Sequence, residues 1–598
     1  MWSRENFPNL SLLLPSGDAH TKTHWFYLTL AMLLCSINSG NLNAQPIDPQ
    51  TIPNPLPRIT PEPAEEPPLL PPPEELLQPP TPSAEPATPG LDPGGTVPGT
   101  IEVERFEILD SSIFSQEQLD KLLSQYTGRP LSFAELLQAR SAITELYNQQ
   151  GYITTGALIP PQTLENGVVQ IQVVEGGLEE IRVIGTDRLS PDYIRSRLGR
   201  ATDKPINIDE LLEALRLLQL DPLIDTISAE LSAGYRPGQN LLEVRITEAP
   251  AFRSEITLDN GRAPSVGTFR RKGVLTHGNL FGFGDRLNIA YSNTDGSDQW
   301  DVDYTLPING RNGTLTVSHS RTSSEIIEPP FDRVDIEAKS RNSELTFRQP
   351  LVQSPTREFT LGLTAARRES NTSILDVAFP LSPGANEDGE TRISALRFFQ
   401  EWTDRSSQQV FAARSQFSLG VGWFDATVNA EEPDSRFLAW RGQAQWLRVL
   451  GSDDANPETS PTLLLRGDVQ LATTSLLALE QFGLGGLQSV RGYRQDALLT
   501  DNGALASAEV RLPVYRTEGG EFKVQVVPFV DVGAAWNNGD RENPDPNTLA
   551  SVGLGLQLDF GDRIRARLDW GYPLVDIESR DRTWQENGFY FSITSYPF

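Results

Sequence analysis

The chain has 598 residues, a formal charge of −29 and 38% apolar residues, a length that suggests about three to four domains. No run of about 18 apolar residues occurs, which excludes a helical membrane span but not a barrel, whose strands alternate. The acidity argues against nucleic acid as a partner, because displacing counterions needs a basic surface.

The first element is a leader. "WFYLTLAMLLC" (25–35) is an apolar core behind Arg4 and Lys22, and Leu42 and Ala44 suit signal-peptidase cleavage. Residues 1–44 are therefore expected to be a signal peptide, and the mature chain to be exported. Cys35, the single cysteine, lies inside it, and Leu34 fills the place where a lipid-anchored cysteine needs a small neighbour. Without that cysteine the mature chain uses no disulfide, thiol nucleophile or cysteine metal site. Residues 45–99 are proline-dense and read as an extended spacer, with "PEELLQ" (73–78) its only short helical candidate.

An internal repeat follows. Residues 106–137 align without a gap on 181–212: Ser115 matches Ser190, Leu123 matches Leu198, Pro130 matches Pro205, and Glu135-Leu136-Leu137 matches Glu210-Leu211-Leu212. Each copy reads as a short strand, a Ser-led helix, a Pro-led turn, a second helix and an alternating strand pair. A repeat of about 75 residues is a domain in tandem. The expected boundaries are 100–176 and 177–250.

From 251 to 598 the period is two. "RLNIAYSN" sets Leu287, Ile289 and Tyr291 against Asn288, Ala290 and Ser292. "FSLGVGWF" sets Phe417, Leu419, Val421 and Trp423 against Ser418, Gly420 and Gly422. "RIRARLDW" sets Ile564, Ala566, Leu568 and Trp570 against Arg563, Arg565, Arg567 and Asp569. Three arginines on one face fit a water-filled lumen, and aromatics at strand ends fit a membrane girdle. At roughly 22 residues per strand and connection, this span supplies about 16 strands, enough to enclose an aqueous channel. The fold class is thus an α+β pair followed by an all-β antiparallel transmembrane barrel. The acidic stretches "GANEDGE", "GSDDANPETS" and "NNGDRENPDPN" are expected to be cell-surface loops.

Little suggests catalysis, and no enzyme activity, cofactor or metal is expected. Outside the leader the only histidines are His277 and His319, far apart in strand-like stretches. No G-K-[ST] occurs, so no P-loop is present. The run "FGLGGLQ" places Gln488 where a dinucleotide fingerprint needs glycine.

Three motifs remain. "LYNQQGYITTGALIPPQTLENGVVQIQVVEG" is punctuated by Gly151-Tyr152, Pro160-Pro161-Gln162, Gly167 and Glu175-Gly176. "VRGY" is Val490-Arg491-Gly492-Tyr493, and "FVDVG" carries Phe529, Asp531 and Gly533. The last strand-like stretch, "GFYFSITSYPF", ends on Tyr596, Pro597 and Phe598. With this order of parts the chain resembles the two-partner secretion outer-membrane transporters, the ShlB/FhaC/HecB type, within the POTRA-plus-barrel superfamily.

The resemblance implies two tandem periplasmic POTRA domains and a bacterial outer-membrane barrel lying in lipid. It implies a loop folded into the barrel, with Arg491 at its tip paired to Asp531. It also implies an unfolded partner, a large β-helical exoprotein of adhesin or hemolysin type, secreted without ATP. Tyr596 and Phe598 would form the terminal signal read by the barrel-assembly machinery. An insertase of the same superfamily and a passive solute porin are the alternative readings.

Overall fold

Serine caps start the helices of the first α+β unit. The Ser115 hydroxyl accepts the Gln118 N–H while the Gln118 side chain accepts the Ser115 N–H, opening α1 (Gln116–Leu123). Ser132 and Glu135 repeat the arrangement for α2 (Phe133–Gln149). Leu119, Leu123, Leu136, Ala139 and Ile143 then pack against Phe106, Val169, Ile171 and Val173 of the sheet. That sheet orders Arg105–Leu109, Val168–Val174 and Gly156–Leu158, the first two parallel.

The computed structural model describes residues 77–78, 100–164, 166–329, 331–451, 459–577 and 582–597. The expected signal peptide, most of the proline-dense segment and Phe598 lie outside them.

The second unit repeats the first. Ser190, with Pro191 at the first helical position, starts α3 (Pro191–Leu198), and Asn207 starts α4 (Ile208–Gln219). Its first and last strands, Gly177–Ile184 and Gln239–Glu248, are again parallel, and Ile224–Ala233 pairs antiparallel to the last. Two expectations need correction. Pro130 lies in a short strand, Arg129–Leu131, paired with Ile101–Val103, rather than in a turn. A two-stranded sheet has only edges, where proline's missing N–H is tolerated. In "PEELLQ" the two described residues, Leu77–Gln78, form a strand parallel to Ile224–Ala233. Proline-bounded segments this short do not nucleate a helix, and a sheet edge offers unpaired backbone groups.

Residues 252–595 form a closed antiparallel barrel of 16 strands, with the two-residue strand Val377–Ala378 paired beside one of them. Closure comes from Phe252–Asp259 pairing with Phe589–Ser595. Alternation sorts the faces as expected. Leu554, Leu556, Leu568 and Trp570 are exposed outward, while Gln557 and Asp569 are buried inward. Such a belt matches a lipid-facing surface.

Strand parity corrects one loop. Leu438–Val449 and Thr462–Ala472 pair Val449 with Thr462 at the end nearest the α+β units. The strands that flank "GSDDANPETS", of which 452–458 lie outside the described residues, therefore meet at that end, whereas "GANEDGE" and "NNGDRENPDPN" lie at the far one. An acidic composition marks solvent exposure and does not distinguish the two mouths.

Candidate functional site

Thr462–Ala472 and Asn502–Arg516 are neighbouring wall strands, and the 473–501 connection between them is long. It turns into the lumen through a small hairpin, Phe482–Leu484 with Leu498–Thr500. Phe482, Leu484, Val490 and Tyr493 form a buried apolar cluster with Ala535 and Leu549 of the wall. This cluster carries "VRGY" to the wall.

There Arg491, only 1% exposed, meets Asp531, which is fully buried. Its Nε donates to Asp531 Oδ2 at 2.7 Å and its Nη2 to Oδ1 at 2.9 Å. The Arg491 backbone N–H reaches the same carboxylate at 3.2 Å. The fork is the geometry in which a guanidinium binds a carboxylate most strongly. Ser507 also donates to Asp531, at 2.6 Å. Phe529 lies face-on to the guanidinium, 3.4 Å from ring centroid to Cζ, so the motif's first residue covers the cation as well.

The glycines of both motifs are spacing devices. Gly492 sits at φ +98°, where a side chain would be strained, and a Cβ there would lie 3.1 Å from the Gly571 carbonyl. A Cβ on Gly533 would lie 2.5 Å from Leu484, so its absence lets the hairpin seat. The Tyr493 hydroxyl donates to the Ala550 carbonyl at 2.7 Å and lies 3.0 Å from that of Val575.

Several partners escaped the sequence reading. Glu509 accepts from Arg491 at 3.2 Å, and Asp569 stands 3.7 Å away. Arg567 bridges these two acids, at 2.9 Å to Glu509 and 2.8 Å to Asp569. Tyr590 accepts the Gly492 N–H at 2.9 Å and donates to the Tyr493 carbonyl. Arg494, one residue past the motif, pairs with Glu328 at 2.9 Å and with Glu586 at 3.6 Å. Alternation shows that Glu509, Asp569 and Tyr590 face inward. It does not show that they converge, because strand register is invisible in it.

The first unit's motif builds a joint. Glu175 accepts from the Ser112 N–H at 2.7 Å and from the Tyr147 hydroxyl at 3.1 Å. Burial pushes that tyrosine up to about 12. Tyr152 packs edge-on to Tyr147. Gln162 holds the Gln170 backbone through both amide ends, at 2.7 and 2.8 Å, in the loop that begins with Pro160 and Pro161. Gly167 turns beside Glu104 at φ +67°. The carbonyls of Gly151 and Gly176 accept the N–H groups of Ile208 and Ile206, both at 2.9 Å, which ties the second unit to the first.

The second unit is in turn docked on the barrel. Ser190 donates to the Gly282 carbonyl at 2.9 Å, and Arg197 to Asn312 at 2.7 Å. Tyr193 lies so close that a Cβ on Gly284 would fall 2.1 Å from its ring. Behind this contact Glu248 accepts three backbone N–H groups, from Asp187, Arg188 and Leu189, at 2.8–2.9 Å. Burial pushes its carboxyl up, but those N–H groups and the Arg188 charge outweigh it and hold it below its ordinary value.

Tyr596 follows the closing strand and donates its N–H to Arg563 at 2.8 Å. His319 bonds Ser343 at 2.9 Å on the outward face of the wall, on the side of Val302, Val317 and Leu345, and among the described residues no group of three acids, histidines or cysteines could hold a metal. The lumen keeps an open polar cavity on the far arc from "VRGY", lined by residues such as Asp301, Thr316, Arg348, Arg368, Arg397 and Arg414.

The model of the haemolysin secretion/activation protein family ShlB/FhaC/HecB matches residues 238–558, and that of the ShlB-type POTRA domain matches 101–176. Among curated proteins, the heme/hemopexin transporter protein HuxB of Haemophilus influenzae (strain 86-028NP) is 23% identical over 67% of this chain and 70% of its own. The outer membrane transporter CdiB of Escherichia coli O6:K15:H31 (strain 536 / UPEC) is 22% identical over 80% of each. Among solved structures, CdiB from Escherichia coli superposes with a TM-score of 0.62 at 20% identity, over 85% of this chain and 93% of that one.

Proposed function

The chain belongs to the haemolysin secretion/activation protein family ShlB/FhaC/HecB, and from that premise we propose that it secretes one dedicated partner protein through its barrel. It is an outer-membrane β-barrel with a periplasmic POTRA domain at 101–176. In this reading the second α+β unit is a further POTRA domain. The pair receives the partner unfolded, by adding its chain to an exposed sheet edge. The partner is a large β-helical exoprotein, which folds outside and so needs no ATP.

The observation that supports this best is the state of the lumen. A long loop is tethered inside it by a buried, forked ion pair, yet a charged cavity stays open along the opposite arc. A solute porin has no need of periplasmic docking domains held rigidly at its mouth. Chemistry is not part of the role, because the buried carboxylates around "VRGY" are committed to arginines.

Arg491→Ala tests it. The barrel should still insert, judged by heat-dependent gel mobility of the outer-membrane fraction. Secretion of the partner should fall by about tenfold or more, as expected when a buried charge pair is broken. Undiminished secretion would remove the proposed role of the tether.

A further inference from the structure

The in-barrel loop has a second attachment, of opposite polarity. Glu480, in the turn Ala478–Glu480 ahead of the hairpin, is 3% exposed. Its Oε1 accepts from Arg397 Nη2 at 2.7 Å and from Arg368 Nη1 at 3.3 Å, and its Oε2 from Arg397 Nη1 at 3.1 Å. Arg368 and Arg397 stand on adjacent wall strands, Arg357–Ile374 and Glu390–Arg405. Arg368 further donates to the Leu479 carbonyl at 3.1 Å, and Gln470 to that of Glu480 at 2.9 Å. Leu476 and Leu477 seat the same limb against Ile393, Ala395, Phe437 and Ala439.

At the tip, the loop supplies the cation and the wall the acids. At Glu480 the loop supplies the acid and the wall the cations. The two sites use different wall strands, with four strands lying between Glu390–Arg405 and Phe522–Trp536 in the barrel order. Both arginines also border the open cavity. Without Glu480, the one other carboxylate bonded to them among the described residues is Glu344, 3.5 Å from Arg368. A buried guanidinium that loses its carboxylate is costly, so this contact resists release in its own right.

We propose that Glu480 is a second releasable anchor of the in-barrel loop, holding its first limb against the wall at the border of the open cavity, independently of Arg491. The loop then has to let go at two places before the lumen reaches its full width. This rests on the pore reading above, and Glu480 is a positioning residue within it.

The test uses the full-length protein in planar lipid bilayers. Glu480→Gln keeps shape and removes charge, so the frequency of wide-open events should rise about tenfold or more, the scale of a lost charge-assisted contact. Arg397→Gln should do the same, and the double variant should add little to either single one, as coupled partners require. Heat-dependent gel mobility should stay that of the wild type, which separates loop release from loss of the fold. If Glu480→Gln does not insert, Glu480→Asp replaces it and should open at an intermediate frequency. Wild-type opening in the inserted variant, or full additivity with Arg397→Gln, overturns the proposal. Arg491→Ala serves as control. If it alters opening while the Glu480 variant does not, only the second anchor fails; if neither does, the pore reading fails.

Discussion

Arg491 is a charge taken almost wholly out of water inside the barrel. A guanidinium with 1% exposure is tolerable only because Asp531, Glu509 and Asp569 surround it. Removing one side of such a pair costs about 3–5 kcal/mol, far more than a surface bridge. Lysine cannot restore the fork, so Arg491→Lys should leave secretion well below wild type, and a quantitative immunoblot of the medium checks this. Glu248 sets a pH dependence outside the membrane. Its depressed carboxyl stabilises the 187–189 loop above about pH 4.5, the ordinary carboxyl value, and loses that contribution as pH falls through the lowered value. Amide exchange of residues 187–189, corrected for intrinsic rates, should therefore accelerate in acid. Glu248→Gln should flatten that response while costing about 1 kcal/mol. The pair Arg491 and Asp531 could be read from two motifs. Glu480 could not, since it lies in no motif and its partners lie more than 80 residues away.

At the level of elements, the helices and the two faces of each strand were legible because capping and period two are local. The repeat placed Ser115 and Ser190 at helix starts, and the structure caps both helices there. What failed was non-local. Pro130 joined a strand because Ile101–Val103 lay beside it, and "GSDDANPETS" moved to the other mouth by strand parity. The docking of α3 could not be seen either, because Gly284 looks like an ordinary turn glycine. At φ +79° and with the Tyr193 ring in the space of its Cβ, it is the least replaceable residue of that contact. Gly284→Ala should lower stability by about 1–3 kcal/mol and raise amide exchange in α3 before the rest of the barrel. Equal exchange across the molecule would show that the dock is not rigid.

Across the whole molecule, three bodies are joined with almost no slack. The first unit's last strand ends at Val174 and the second unit begins at Gly177. The second unit's last strand ends at Glu248 and the barrel starts at Phe252. Joints this short are backed by the Gly151–Ile208 bond between the two units and the Ser190–Gly282 bond between the second unit and the barrel. The order of two repeated units and a barrel was legible in the sequence, whereas the tightness of the joints came only from the contacts. The most direct measurement compares the proteins in the medium and in the outer membrane with the gene intact and deleted. One or a few large proteins should vanish from the medium while other outer-membrane barrels keep their levels. Loss of those barrels, or an unchanged medium, would contradict secretion of a dedicated partner.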